Sequence, residues 1–320
     1  MTNGNWRGGM KIAVILCTYN RSQFLARALE SVARSEVPES VHWEVLVVDN
    51  NSRDETRSVV EEFCRRDPSR FRYLFEPKQG KSYALNSGCQ AANADVLAFM
   101  DDDVEVDPHW LHNLTVPFTC GEWVGTGGCI LPERGFVPLR WMDVRDRYGL
   151  APLAMFDLGD EPGELRESPF GTNMAFRKEM FAKHGGFRTD LGPQSGSEIR
   201  NEDSEFGSRL LAAGERLWYQ PTAVVYHAIP QDRVRKKYFQ SWWFGKGRGD
   251  IREMGTSKKA EWSVGGVPLY LLRRLAVWTF RFTISTHEPD RFSSKLKVCW
   301  LAGMIRERYE QAHSSQNALG

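Results

Sequence analysis

The sequence predicts an α/β protein built on one mostly parallel sheet, and three observations carry that reading. Short apolar runs alternate with stretches of helical periodicity through the first half of the chain. Such alternation implies strand–helix–strand crossovers and therefore parallel pairing. Most of these apolar runs are followed directly by a polar cluster, at the carboxyl end of a strand, where open α/β sheets bind ligands. With 320 residues the chain can bury a large core, in one domain or two.

Taken in order, Ile12–Cys17 is a continuous apolar run and reads as the first strand. Leu25, Ala28, Leu29 and Val32 then recur at helical spacing, and Val45–Val48 gives a second strand ending at Asp49. Ser52-Arg53-Asp54-Glu55 has the spacing of a capping box and opens a helix carrying Val59, Val60 and Phe63. Phe71–Phe75 reads as a strand, Lys81–Ala92 as a helix and Val96–Met100 as a further strand. From about Gly121 the pattern loosens. Gly125–Gly128 and Pro132–Pro138 look like strand ends and turns, and acidic Asp157–Pro169 reads as an exposed loop. Asn201–Ala213 reads as a helix closed by Gly214. The chain after Pro230 is basic and aromatic, with helices expected at Val267–Ile284 and Phe292–Glu310. This divides the chain into a domain of residues 1–230 and a helical C-terminal extension of residues 231–320.

Lys plus Arg number 42 and Asp plus Glu 41, a net charge of +1 that argues against a dedicated nucleic-acid binder. Six cysteines without a CxxC pair read as reduced thiols, which places the chain in the cytoplasm. Met1–Gly9 lacks the apolar stretch of a signal peptide. Arg273, Arg274 and Arg281 interrupt Val267–Ile284, so a spanning helix is not expected there. The same arginines, interleaved with Leu, Trp and Phe, suit a helix lying peripherally at the inner face of a membrane.

Asp101, Asp102 and Asp103 follow the Val96–Met100 strand. Three adjacent carboxylates repel one another unless a cation sits on them. The plainer reading is a solvated acidic turn. It competes with three other polar clusters after strands: Thr18-Tyr19-Asn20-Arg21, Asp49-Asn50-Asn51-Ser52, and Lys78-Gln79-Gly80-Lys81 with Asn86. Helix capping explains any one of them, but four in register argue for one site.

In these blocks, and in Gly171-Thr172-Asn173-Met174-Ala175-Phe176-Arg177 and Asn201-Glu202-Asp203, the chain resembles the inverting, GT-A-fold glycosyltransferases of family 2. The resemblance covers Lys11 to about His227. It implies the GT-A fold, a Rossmann-like nucleotide-binding mixed sheet flanked by helices. It further implies a nucleotide-diphosphate sugar donor, with UDP-sugar favoured, a glycan or lipid-linked acceptor and a Mn²⁺ or Mg²⁺ ion. By resemblance, Thr18, Tyr19, Asn20, Arg21, Asp49, Asn51, Gly80, Lys81, Asn86, Asn173 and Glu202 contact substrate, Asp49 accepting from the base. Asp101 and Asp102 would reach ribose or sugar, Asp103 would ligate the ion, and Asp203 would be the catalytic base. His227, after Val224-Val225-Tyr226, reads as a further metal ligand or phosphate contact, or as a strand-end histidine. No Gln-x-x-Arg-Trp motif is found, which argues against processive synthesis.

The chemistry needs these residue types. A nucleoside diphosphate leaves only if its developing charge is neutralised, which hard carboxylate oxygens holding a divalent ion can arrange. An attacking hydroxyl needs a base within hydrogen-bond reach, and Asp203 lies where a helix start favours its ionised form. Two rivals remain. Asp101-Asp102-Asp103-Val104 also fits the signature of haloacid-dehalogenase-type phosphotransferases, though a hundred residues precede it. The other is a nucleotide- or glycan-binding protein without turnover.

Overall fold

Leucine and β-branched residues dominate Met10–Thr18. In the computed structural model, which describes residues 9–146, 149–194, 199–255 and 262–317, this run is strand β1. There follow α1 (Ser22–Ala33), β2 (Val41–Asp49), α2 (Thr56–Arg66), β3 (Phe71–Phe75), α3 (Lys81–Ala91) and β4 (Val96–Asp101). β1 pairs in parallel with β2 on one side and β4 on the other, and β2 pairs in parallel with β3. Ile12 to Leu16 are at most 1% exposed, so both faces of β1 are covered. That burial is why the strand reads as a solid apolar run rather than an alternating one.

The second half of the sheet runs differently. β5 (Val104–Val106), α4 (Trp110–Thr115), β6 (Gly125–Pro132), β7 (Gly163–Leu165), β8 (Asn173–Arg177), α5 (Glu179–His184), α6 (Glu202–Ala212) and β9 (Leu217–His227) follow in the chain. The order across the sheet is β3-β2-β1-β4-β8-β6-β9-β5, with β7 on β9. β8 is antiparallel to both β4 and β6, so the sheet is mixed rather than mostly parallel.

Three local expectations are corrected. Gly125–Gly128 form the first half of β6, so the strand end expected there is found but the turn is not. A Cβ on Gly125 would come within 2.4 Å of the Phe176 ring, so the glycine serves close strand packing. Within Asp157–Pro169, Gly163–Leu165 pairs with β9 as β7. The Ser52–Glu55 capping box does not form: α2 starts at Thr56, whose N–H is taken by Asp54 Oδ1 at 3.1 Å rather than by Ser52. Ser52 Oγ instead accepts the N–H of Asn20 at 2.9 Å.

The chain forms two compact units. One comprises Met1–Arg134, Ala154–Thr189 and Glu202–Ala228 and contains the sheet. The other comprises Gly135–Leu153, Asp190–Asn201 and Ile229–Gly320. The second unit holds α7 (Lys236–Met254), β10 (Ser263–Val264), β11 (Val267–Pro268), α8 (Leu269–Ile284) and α9 (Glu288–Asn317). Ile251, Val267, Leu271, Leu301 and Met304 make a small core there. α8 begins two residues later than its apolar pattern, because Val267–Pro268 pairs as a hairpin strand with β10.

Candidate active site

Because β1, β2 and β4 run parallel and in register, their carboxyl ends come level. Thr18 stands opposite Asp49, and Cys17 opposite Asp101. The loops beyond these ends are held in tight conformations. Asn20 (φ 52°) and Asn51 (φ 65°) both adopt the left-handed region, which asparagine tolerates better than most residues. Asn20 Oδ1 accepts the N–H of Arg53 at 2.8 Å, tying the β1 loop to the β2 loop. Asp49 is buried and accepts from Ser52 N–H and from the Tyr73 hydroxyl, each at 2.8 Å. Gly80, at φ 137°, turns the chain into α3 and donates its N–H to Asn50 Oδ1 at 2.8 Å. Tyr19 is 41% exposed at the rim.

The triplet is not a solvated turn. Asp102 and Asp103 are each 4% exposed. Arg21 Nη1 donates to Asp102 Oδ1 and to Asp103 Oδ2, both at 2.8 Å, and Thr18 Oγ1 donates to Asp102 Oδ2 at 2.7 Å. Burial outweighs the pull of Arg21, and with repulsion from Asp103 it pushes the Asp102 carboxyl up to about 6. Asp101 takes Lys81 Nζ at 2.6 Å and Thr172 Oγ1 at 2.7 Å. Burial works upward there too, yet the Lys81 ammonium holds Asp101 below its usual range. Lys81 Nζ also lies 3.6 Å from Glu202 Oε1, so one ammonium bridges the triplet and the start of α6.

Asp103 Oδ1 lies 3.4 Å from His227 Nε2, and both residues are buried. The antiparallel pairing of Val104 with His227 creates this approach. Among the described residues no group of three His, Cys, Asp or Glu side chains is placed to hold a metal ion. The Asp103–His227 pair therefore offers two donors. A cleft of about 370 Å³ opens beside Asp103, lined also by Phe24, Arg27, Glu105, Arg134 and Tyr226.

Asp203 sits in the first turn of α6, half-buried. Its Oδ2 accepts the Gly171 N–H at 2.6 Å and its Oδ1 the Ser204 N–H at 2.7 Å. Burial, then repulsion from Asp203, pushes the neighbouring Glu202 carboxyl up to about 7 against the pull of Lys81.

Two residues expected at substrate have their polar groups engaged elsewhere. Asn86 exchanges both amide functions with the backbone of Phe187. Asn173, fully buried, donates to the carbonyls of Cys129 and Ala223 and accepts from Trp110 Nε1. Their hydrogen bonds hold the loop after α5 and the middle of the sheet. Conversely, Tyr73 and Thr172 join the site through Asp49 and Asp101. Thr172 lies in the Gly171–Arg177 block and was legible there, whereas Tyr73 is an ordinary strand residue in sequence.

The family model described as "Glycosyl transferase family 2" matches residues 13–185. The chain is 28% identical over 226 residues to the succinoglycan biosynthesis protein ExoM of Rhizobium meliloti, covering 70% of this chain and 69% of that one. It is 26% identical over 248 residues to the glucosyl-dolichyl phosphate glucuronosyltransferase of Haloferax volcanii, covering 74% and 75%. A mannosyltransferase of Pyrobaculum calidifontis, solved in complex with GDP-Man and Mn²⁺, superimposes with a TM-score of 0.57. That match has 18% identity and covers 98% of this chain and 76% of that one. The parallel strand ends, the paired aspartates and the matched span agree: the chain belongs to glycosyl transferase family 2 and is a glycosyltransferase of the GT-A fold.

Proposed function

We propose that the chain transfers a sugar, with inversion, from a nucleotide-diphosphate donor to a hydroxyl of a glycan or lipid-linked acceptor, with a UDP-sugar the favoured donor. The observation that carries this reading is the Lys81 bridge. It joins Asp101, on the triplet, to Glu202, which adjoins Asp203. A donor-holding cluster and a candidate base thus belong to one charged network.

Thr18, Asn20, Arg21, Asp49 and Asn51 frame the nucleotide end, and Asp101 and Asp102 face ribose and sugar. Arg21 and Lys81 keep fixed positive charge at the diphosphate. Asp203, held by two N–H donors at a helix start, takes the proton of the attacking hydroxyl. The donor set fits a divalent ion. A carboxylate oxygen and an imidazole nitrogen 3.4 Å apart match neighbouring ligands of one ion, which stand roughly 3 Å apart at normal bond lengths. Asp103 and His227 would hold Mn²⁺ or Mg²⁺ there, leaving other positions to diphosphate oxygens and water. Such an ion supplies positive charge opposite the leaving diphosphate. The mannosyltransferase solved with GDP-Man and Mn²⁺ supports a sugar nucleotide and a divalent ion. The dolichyl-phosphate relative supports a lipid-linked acceptor.

Thermal-shift measurements with UDP-, GDP- and dTDP-sugars in the presence of Mn²⁺ test the donor. One cognate nucleotide sugar should raise Tm well above the others, because a ligand that binds only the folded state stabilises it. Equal shifts for all, or none for any, overturn the donor assignment. Product stereochemistry read by NMR tests inversion.

A further inference from the structure

Helix α8 presents an apolar surface on two sides. Leu271, Leu275, Trp278 and Phe282, at spacings of four, three and four, form the side turned into its own unit, and Leu271 is fully buried. The opposite side faces solvent and carries large apolar side chains around Arg273, which lies one turn from both Leu269 and Val277. Phe280 is 63% exposed, Ile284 59%, Tyr270 49%, Val277 46% and Leu269 42%. Just before the helix, Trp262 is 74% exposed, and its carbonyl accepts the Leu269 N–H at 3.1 Å, which puts it at the helix's N-terminal end. Large apolar side chains gathered on one exposed helix face mark a surface that something else covers.

Charge identifies the cover. The segment LYLLRRLAVWTFRFTI holds three arginines and no acidic residue. Among the described residues, Arg273, Arg274 and Arg281 pair with no carboxylate; Arg274 lies over Trp300 and Arg281 over Trp278. From α9, Arg291 and Lys295 flank the Phe282 ring. An apolar protein partner would leave these guanidinium groups buried without counter-ions. A bilayer surface accepts both features, acyl chains against the rings and anionic headgroups against the cations. At 16 residues, about 24 Å, α8 is too short and too charged to span, and no described helix is long and apolar enough to cross a membrane.

We infer that α8 docks flat on an anionic membrane, with Leu269, Val277, Phe280 and Ile284 in the acyl boundary and Arg273, Arg274 and Arg281 on phosphate headgroups. The inference stands on exposure and charge alone, independently of the donor and base assignments.

Vesicle co-sedimentation of the full chain tests it. Vesicles of phosphatidylcholine mixed with phosphatidylglycerol should bind on the order of 100-fold more tightly than phosphatidylcholine alone, since each of the three arginines adds roughly fivefold. The Arg273→Gln, Arg274→Gln, Arg281→Gln variant should lose that preference. The Phe280→Ser, Ile284→Ser variant, changed only at exposed positions, should lose binding to both vesicles while keeping its Tm and its binding of sugar nucleotide. Equal binding to the two vesicle types overturns the inference, as does retained binding by the Phe280→Ser, Ile284→Ser variant. A dimer in light scattering that this variant abolishes also overturns it, because the face would then cover a second copy.

Discussion

Asp102 and Asp103 are buried and share one guanidinium, whereas Asp203 is half-buried and accepts from the N–H groups of Gly171 and Ser204. The two carboxylate sites of the sheet unit therefore handle charge differently. At the triplet, fixed cations work against burial: Lys81 holds Asp101 below its usual range, while burial still raises Asp102 against Arg21. Neutral backbone N–H groups, not a side-chain cation, position Asp203, the proposed base. Lys81 touches both arrangements, through Asp101 and Glu202. On this comparison the proposed leaving-group side and the proposed attack side are separate pieces of electrostatics joined by one ammonium.

The largest effect is expected at the attack side. Asp203→Asn keeps the shape and an acceptor for the Gly171 N–H but removes basicity, so kcat should fall on the order of 10²–10⁴-fold with donor Kd unchanged. Full turnover in steady-state assays would remove Asp203 as the base and collapse the distinction. At the other side, Arg21→Ala leaves two buried carboxylates without their shared cation. Breaking a buried pair costs about 3–5 kcal/mol, and the low end applies here because Arg21 is 33% exposed. Urea unfolding measures that loss. Mn²⁺ should restore part of it, since an ion on Asp103 replaces some of the missing positive charge. No response to Mn²⁺ would count against an ion site there.

The difference between the two sites also explains what the sequence revealed. The strands β1 to β4 were legible because burial on both faces writes a solid apolar run, and the polar clusters after them marked the sheet's carboxyl edge. β6 was read as strand ends and turns because its glycines make room for close neighbours, Gly125 for Phe176, Gly127 for Pro169 and Gly128 for the Ala223 carbonyl, so a packing requirement looked like a turn. Ser52 was misread as a cap because its partner, Asn20, lies in another loop, a contact invisible to local spacing. Asn86 and Asn173 lay in the right blocks, but motif position cannot say whether an amide faces ligand or backbone. Tyr73 reaches Asp49 only because β2 and β3 pair in register.

A smaller effect isolates the attack side by pH. Glu202 titrates at about 7 in the folded chain against an ordinary 4.5, pushed up by burial and by Asp203, with Asp101 adding and Lys81 opposing. A carboxyl with a raised folded value stabilises the fold fully below 4.5, and that contribution is lost as pH rises through 7. The loss amounts to about 3 kcal/mol at most. Glu202→Gln should therefore flatten stability across that window and gain on the parent chain at pH 8. Parallel stability–pH curves for the two proteins would mean Glu202 is not the strained member of the pair.

The smallest effect sharpens the triplet's side. Thr172→Val keeps volume at a buried position but removes the hydroxyl that donates to Asp101 Oδ2 at 2.7 Å. Lys81 still holds Oδ1, so the carboxylate keeps its counter-ion and loses one charged hydrogen bond, about 1.5–3 kcal/mol in general. The value should fall at the low end, because water can reach a carboxylate that is one-fifth exposed. Stability alone would drop if Thr172 only satisfies Asp101. If Thr172 aims Asp101 at the donor, the Kd for sugar nucleotide should rise several-fold while the pH profile of turnover, set at the other site, stays where it was. A shifted profile would show that Lys81 transmits changes at Asp101 to Glu202 and Asp203, so that the two sites act as one.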